Sequence, residues 1–330
     1  MATEVAERQA LDPANGFESE QPFVLRGLVA DWPAVKAGAQ SSLAMVDYLR
    51  SHDRGASVIV WRGAPEIGGR FFYNHDMSGF NFRAEHCRFD QVLDRLVETT
   101  DEAVCESLYV GSTTVDTCLP GFAENNSLDL GKRDPLASIW IGNRTRIAAH
   151  HDLPDNLACV VAGRRRFTLF PPEQLGNLYI GPLDFTPAGQ AISMVDMAAP
   201  DYQRFPRFAA AMEAAQVVEL NAGDALFIPS LWWHQVESLD SLNVLVNYWW
   251  RDTPSFMDSP MNALMLSLMT LRDLPPAQRR AWANMFRHYV FEADQTTAAH
   301  IPEQARGVLA TIQADTARAL RAKLLRNLNR

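Results

Sequence analysis

The sequence predicts a mainly β fold with added helices, in which an antiparallel barrel or jelly roll occupies the middle of the chain. From about residue 107 to residue 250, short β-branched and aromatic runs are separated by Gly, Pro and Asp. Helical periodicity appears before and after this region, mixed with strands on the N-terminal side and alone on the C-terminal side. At 330 residues the chain is long for one domain, but a β fold of this kind absorbs extra helices without dividing.

Residues 1–105 are predicted to form an α/β extension packed on the core. Apolar runs ended by Gly or turn residues indicate strands, and apolar spacing of three and four residues indicates helices. The predicted strands lie at 22–27, 57–61 and 70–73, and the predicted helices at 42–51 and 89–97.

Residues 106–252 are predicted to form the β core, and residues 253–330 a helical region. The clearest core strands are predicted at 137–141, 167–170, 225–228 and 243–249. Helical periodicity covers 261–274, 276–292 and 302–329, and the last stretch carries an apolar stripe of Leu309, Ile312, Leu320, Leu324 and Leu328. The boundaries near residues 105 and 252 are marked by changes in the hydrophobic pattern and not by flexible linkers.

Composition and charge exclude several classes of protein. Nearly half of the residues are apolar, which favours a globular chain, and the net charge of −9 disfavours nucleic acid as a partner. The acidic N-terminal stretch does not resemble a signal peptide, and no apolar run approaches a membrane span, so we expect a cytoplasmic protein. The four cysteines have no CxxC spacing that would indicate a zinc knuckle or a redox dithiol.

The segment His150-His151-Asp152 carries the first chemical signal. It follows a short apolar run that we interpret as a strand leading into a turn. Because side chains alternate along a strand, His150 and Asp152 are expected on one face and His151 on the other. An imidazole and a carboxylate are thereby presented together.

A third ligand is expected from His234, which follows a turn, a strand and a proline in the segment 223–234. Two histidines and one carboxylate on one side of a metal leave the opposite side open. This set suits non-haem Fe(II), whereas structural zinc favours a closed tetrahedron of N and S ligands. Each residue taken alone is equally typical of a hydrogen-bonded core position.

Several motifs agree in order, spacing and identity with one known family. They are the segments 149–157, 161–172, 178–179, 201–206, 223–234 and 247–249, together with the entry segment 22–33. With these motifs, roughly residues 20 to 250 resemble the cupin-like JmjC hydroxylases, and within them the factor-inhibiting-HIF type. The resemblance implies a double-stranded β-helix and the co-substrates Fe(II) and 2-oxoglutarate.

The resemblance also implies residue roles. His150, Asp152 and His234 match the catalytic metal ligands, and His151 falls where relatives have Tyr. Arg165 falls where the family has a basic residue, commonly Lys, that grips the distal carboxylate of 2-oxoglutarate; a guanidinium can pair with that carboxylate in a bidentate manner. The remaining matches line the co-substrate site: Tyr109, Asn156, Asn247 and Trp249. Ile147 departs from the family, whose members place Thr there.

The predicted function is therefore an Fe(II)- and 2-oxoglutarate-dependent hydroxylase acting on a protein or peptide side chain, with a small-molecule substrate as a further option. Two alternatives stay open: a cupin enzyme that uses another metal, and a non-catalytic cupin-like binding or sensing protein. In relatives a terminal helix pair forms a homodimer, and the C-terminal stripe suits such an interface. No membrane partner is expected.

Overall fold

The computed structural model describes residues 2–9, 17–100, 102 and 104–329. The chain divides into two compact units, Met1–Arg251 and Asp252–Arg330. Among the described residues, no helix is both long and apolar enough to cross a membrane.

The first unit is built mainly of strands. They are β1 Thr3–Glu4, β2 Ala6–Arg8, β3 Phe23–Leu25, β4 Ser57–Gly63, β5 Arg70–Phe71, β6 Phe82–Arg88, β7 Ser107–Thr114, β8 Leu136–Gly142, β9 Arg146–His150, β10 Asp155–Ala162, β11 Arg165–Phe170, β12 Gln216–Leu220, β13 Ala225–Ile228, β14 Trp233–Ser238 and β15 Asn243–Trp250. Its helices are α1 Pro33–Gln40, α2 Ser42–His52, α3 Phe89–Glu98, α4 Val115–Cys118 and α5 Phe208–Glu213.

The strands form two sheets that face each other. One has six strands in the order β1-β12-β11-β14-β9-β5, and the other has nine in the order β2-β3-β13-β10-β15-β8-β7-β4-β6. From β8 to β11 and from β12 to β15, each strand lies in the other sheet from the strand before it, which is typical of a jelly roll. The predicted mainly β fold with added helices is confirmed.

The space between the sheets holds the first apolar core. Alternate residues of strands from both sheets meet there, including Ala158 and Val160 from β10 and Phe167 and Leu169 from β11. Because the side-chain period of a strand is two, the intervening residues of β10 point the other way. Those residues, Leu157 and Cys159 among them, belong to a larger outer core.

The outer core packs the N-terminal helices against the nine-stranded sheet. Helix α3 places Phe89, Leu93 and Leu96 on one buried face, and Met45 and Leu49 of α2 join the same cluster. Both helices match the predicted ones, and β13 matches the predicted strand residue for residue. Strands β4 and β6 extend the sheet that holds β10 and β15, so the N-terminal part shares this sheet with the central strands.

Gly163 makes the turn by which the chain passes from β10 to β11. Its φ of 72° lies in the left-handed region, and a Cβ there would be 2.5 Å from the Leu242 carbonyl oxygen. Any other residue at this position is strained, so the crossing between the sheets depends on glycine.

The second unit contains α6 Pro260–Thr270, α7 Pro276–Phe286 and α8 Ala314–Leu328. The expectation of one helical stretch over 302–329 is wrong, since only short 3₁₀ turns precede α8. Gly307 has a left-handed φ of 54°, and Gln313 is extended, and neither conformation continues a right-handed helix. Leu309 and Ile312 therefore do not share a helix face with Leu320, Leu324 and Leu328.

Candidate metal centre

Three side chains that could hold a metal ion meet at the junction of β9 and β14. His150 ends β9 and is the direct cross-strand partner of His234 on β14, while Asp152 lies two residues beyond β9. One ligand atom from each residue lies within 4.8 Å of the others. The two imidazole centroids are 4.4 Å apart, and His234 Nε2 is 3.6 Å from Asp152 Oδ2. The structure thus brings the three predicted ligands together.

Each imidazole is oriented by a backbone carbonyl. His150 Nδ1 is 2.9 Å from the Ala148 carbonyl oxygen, and His234 Nδ1 is 3.0 Å from the Trp232 carbonyl oxygen. A carbonyl oxygen only accepts, so Nδ1 is the donor in both rings, and in the neutral form of each ring Nε2 keeps its lone pair. This tautomer is the one that a metal ligand needs, and a partner of this kind is typical of metal-binding histidines.

Burial keeps His234 unprotonated. Its side chain lies inside the protein, and the loss of hydration, aided by repulsion from His150, lowers its pKa from 6.5 to about 4. A neutral imidazole is ready to bind a cation at neutral pH.

His151 points away from the other two histidines. Its ring packs edge-on against Trp233, with 4.6 Å between the ring centroids, and burial lowers its pKa as well. It takes no part in the metal-binding set.

The loop that carries Asp152 is tied to the loop that leads into β14. The Leu231 N–H donates to the Asp152 carbonyl oxygen at 2.9 Å, and the Ser230 hydroxyl donates to the Leu153 carbonyl oxygen at 2.6 Å. The Ser230 N–H also donates to Asp155 Oδ1 at 2.8 Å. Leu231 adopts a left-handed φ of 66°, an unfavourable conformation for a leucine that these bonds help to hold. The spacing between Asp152 and His234 is therefore fixed by the backbone.

Arg165 is a buried cation without an anionic partner. Only 3% of its surface is exposed, its Nε has no hydrogen-bond partner, and among the described residues no carboxylate forms an ion pair with it. Burial lowers its pKa to about 10, so the guanidinium remains charged at neutral pH. Tyr109 is the nearby polar group that interacts with Arg165, and burial raises the pKa of its hydroxyl. An unpaired buried charge is costly, so Arg165 and Tyr109 together are suited to receive an anion.

Asn156, Asn247 and Trp249 lie on the inner face of the nine-stranded sheet beside Asp152. Asn156 Nδ2 donates to Asp152 Oδ2 at 3.4 Å, and Asn247 Nδ2 donates to Asn156 Oδ1 at 3.2 Å. Trp249 is the cross-strand partner of Asn156, and its buried Nε1 has no hydrogen-bond partner. The predicted amides are thus close to the metal-binding set.

Ile147 lies on the same face of β9 as His150, although the two residues are three positions apart. In the register, His150 is opposite His234 and Ile147 is opposite Val236, which are only two residues apart on β14. A β-bulge on β9 accounts for the extra residue. An aliphatic side chain therefore stands where the resemblance leads us to expect the hydroxyl of a Thr.

Three residues of the site were not predicted: Ser230, Leu231 and Trp140. Trp140 donates from Nε1 to Asn247 Oδ1 at 2.7 Å, and its ring lies 6.0 Å from that of Tyr109 and 5.7 Å from that of Trp249. The sequence indicated only that Trp140 is two residues from Ser138 on a predicted strand, so that both side chains lie on one face of the sheet.

Comparison with known proteins identifies the class to which this fold and site belong. Residues 9–256 match the Cupin-like domain family, and the chain belongs to that family. Its relatives are of the JmjC type, whose enzymes use Fe(II) and 2-oxoglutarate. A cluster of two histidines and one aspartate in a cupin-like fold is compatible with iron.

Three relatives illustrate the range of the match. Lysine-specific demethylase JMJ31 of Arabidopsis thaliana is 39% identical over 132 residues, which are 38% of this chain and 24% of that protein. HSPB1-associated protein 1 of Homo sapiens is 32% identical over 160 residues, 47% of this chain and 32% of that protein. Lysine-specific demethylase 8 of Xenopus tropicalis is 25% identical over 250 residues, 70% of this chain and 48% of that protein. The chain matches less than half the length of each.

Proposed function

We propose that this protein is an Fe(II)- and 2-oxoglutarate-dependent oxygenase that hydroxylates a protein or peptide side chain. The observation that carries the proposal is the pairing of an open two-histidine, one-carboxylate cluster with the unpartnered buried cation of Arg165. A structural zinc site would need a fourth protein ligand, and a purely structural cluster would not need a buried anion receptor. The family assignment supports the same conclusion.

In this proposal, one set of residues binds the metal and a second set binds the co-substrate. His150, Asp152 and His234 would hold Fe(II), and Arg165 with Tyr109 would bind the distal carboxylate of 2-oxoglutarate by charge-assisted hydrogen bonds. Asn156, Asn247 and Trp249 would line the co-substrate site and exclude water from it. When bound, Fe(II) and 2-oxoglutarate supply the activation of dioxygen. Arginine in place of lysine keeps the charge, and Ile147 in place of threonine removes one polar contact.

The substrate class and the assembly are further parts of this proposal. Two of the relatives are lysine-specific demethylases, and a lysine side chain of a protein or peptide is the substrate class that both names indicate. A homodimer would form through the second unit, where fifteen large apolar side chains are exposed among the described residues. We further propose a cytoplasmic protein that binds neither nucleic acid nor membrane, in keeping with the net charge of −9.

Anaerobic titration with Fe(II) and 2-oxoglutarate tests the proposal. An oxo-acid chelated to Fe(II) at an open site gives a weak visible charge-transfer band, which the wild type is expected to show. His150→Ala is expected to abolish the band, because a metal ligand is lost. Arg165→Met is expected to keep the metal but to weaken 2-oxoglutarate binding about 30-fold, since bonds between a charged donor and a carboxylate are each worth ~1.5–3 kcal/mol.

Two controls make the result specific. His300→Ala removes an exposed histidine of the second unit, and Arg166→Met removes an arginine that pairs with Glu219 on the surface. Both are expected to behave as the wild type. No band in the wild type at saturating Fe(II) and 2-oxoglutarate would contradict the proposal and favour a binding protein or another metal.

A further inference from the structure

A chain of four hydrogen-bonding side chains runs from the indole of Trp140 to the carboxylate of Asp152. Trp140 Nε1 is 2.7 Å from Asn247 Oδ1, Asn247 Nδ2 is 3.2 Å from Asn156 Oδ1, and Asn156 Nδ2 is 3.4 Å from Asp152 Oδ2. We call this chain the Trp140 relay. It crosses three neighbouring strands, β8, β15 and β10, and ends on a proposed metal ligand.

The direction of the relay is determined at its tryptophan end. An indole N–H can only donate, so Asn247 must turn its Oδ1 toward Trp140 and its Nδ2 toward Asn156. Asn156 must then accept at Oδ1 and present Nδ2 to Asp152. An amide flipped by half a turn would instead face the carboxylate with an oxygen, which repels it.

Burial makes this choice of direction matter. Asn247 and Asn156 are 1% and 6% exposed, so water cannot replace a bond that is lost. The carboxylate at the end of the relay is also the one held 3.6 Å from His234 Nε2. Its backbone is fixed separately, through the Leu231 N–H on the Asp152 carbonyl oxygen at 2.9 Å. The relay therefore orients the side chain, and the loop contact orients the main chain.

We infer that Trp140 is a positioning residue of the metal centre, whose indole N–H sets the orientation of the Asn247 and Asn156 amides and thereby of the Asp152 carboxylate. The inference rests on the proposed metal site but not on the identity of any substrate. The hydrogen bonds link Trp140 to Asp152 through the Asn247 and Asn156 amides. We expect Trp140 to raise metal affinity, because it keeps the Asp152 carboxylate oriented toward the metal site before the metal binds.

Trp140→Phe is the informative substitution, because it removes the N–H and keeps an aromatic ring. Trp250→Phe is the matched control. Trp250 is the neighbour of Trp249 on β15 but belongs to the outer core, and its Nε1 has no hydrogen-bond partner. It therefore undergoes the same indole-to-phenyl change without the loss of a bond.

Titration with Co(II) alone, followed by its visible absorption, measures metal affinity without 2-oxoglutarate, dioxygen or substrate. Trp140→Phe is expected to weaken Co(II) binding about three- to tenfold, as the loss of one net hydrogen bond implies, while Trp250→Phe leaves it unchanged. Asn156→Leu removes the last donor of the relay and is expected to weaken binding about 10- to 100-fold. In that background Trp140→Phe should have no further effect, because the link to Asp152 is already cut.

The outcomes separate this inference from the proposed function. Wild-type affinity in Trp140→Phe, or effects of Trp140→Phe and Asn156→Leu that simply add, would overturn the relay and leave the metal site intact. Equal losses in Trp140→Phe and Trp250→Phe would also overturn it, by indicating a general effect of indole removal. A wild type that binds no Co(II) would overturn the metal site and the relay together.

Discussion

The two units of the chain differ in how far their apolar side chains are buried. In the first unit, apolar side chains fill cores inside the jelly roll and under the N-terminal helices. In the second unit, Ala298 is the only buried residue among those described, and fifteen of the twenty-three exposed large apolar side chains lie there, in about a quarter of the chain. The first unit provides its own hydrophobic stabilisation, whereas the second leaves most of its large apolar side chains exposed.

This difference suggests a separate role for each unit: the first carries the candidate metal site, and the second is suited to assembly. The first unit holds the candidate metal ligands on strands and on loops tied by hydrogen bonds. The second unit offers apolar helices and no comparable cluster of metal-binding groups among its described residues. Assembly is thus the role that its composition suits, and a second copy of the chain is the partner that we propose.

The largest expected effect comes from placing a charge on the second unit. Leu324 on α8 is 43% exposed, and Leu324→Glu would bury a carboxylate on each side of a symmetric interface. Such burial costs several kcal/mol, so dimerisation should weaken about a thousandfold. Light scattering across a range of concentrations would show dimers for the wild type and monomers for the variant.

Leu175→Glu is the control for that substitution, since Leu175 is 54% exposed but lies in the first unit. It should remain dimeric. A wild type that is monomeric at all concentrations would remove the homodimer from the proposal and leave the exposed helices to a different partner.

Much of the first unit could be predicted because its patterns are local. The run Ala225–Ile228 is apolar throughout and is bounded by Asp224 and Pro229, and it forms a fully buried strand as expected. Alternation along a strand predicted that His150 and Asp152 would lie together, with His151 on the other side. Patterns with a period of two or 3.6 residues need no knowledge of distant contacts.

The rest depends on contacts between distant segments. The β-bulge that places Ile147 beside His150 is visible only in the pairing of β9 with β14. Trp140 and Asn247 are 107 residues apart, and only the register of β8 against β15 brings them together. The break before α8 had a local signal in Gly307, but helical periodicity on either side of it concealed the interruption.

The next effect concerns pH and belongs to the first unit. His234 has a pKa of about 4 in the folded protein and 6.5 when unfolded. Between these values the unfolded chain binds a proton that the folded chain does not, so stability rises with pH and is lost as pH falls from 6.5 toward 4. The difference is worth ~3 kcal/mol, and the lowered pKa of His151 acts in the same direction.

Urea unfolding of the metal-free protein at several pH values measures this effect. His234→Asn, which cannot be protonated in this range, should reduce the pH dependence of the free energy of unfolding. His300→Gln, at an exposed position of the second unit, should leave it unchanged. A wild type whose free energy of unfolding does not change between pH 6.5 and 4 would mean that folding does not lower the pKa of His234.

The smallest effect compares two helix caps. Ser41 Oγ accepts from the Ala44 N–H at 3.0 Å at the start of α2, and Ser259 Oγ accepts from the Met261 N–H at 3.3 Å at the start of α6. Removal of a serine cap costs ~1 kcal/mol of helix stability. Because α2 is anchored in the outer core through Met45 and Leu49, Ser41→Ala should lower the free energy of unfolding of the first unit by about that amount.

Ser259→Ala should behave differently, since α6, unlike α2, has no buried residue. Urea unfolding followed by tryptophan fluorescence should show no shift of the main transition, whereas hydrogen exchange in α6 should become faster. An equal shift for both variants would mean that the two units unfold together. In that case the second unit would contribute to the stability of the jelly roll, and its exposed helices could not be assigned to assembly alone.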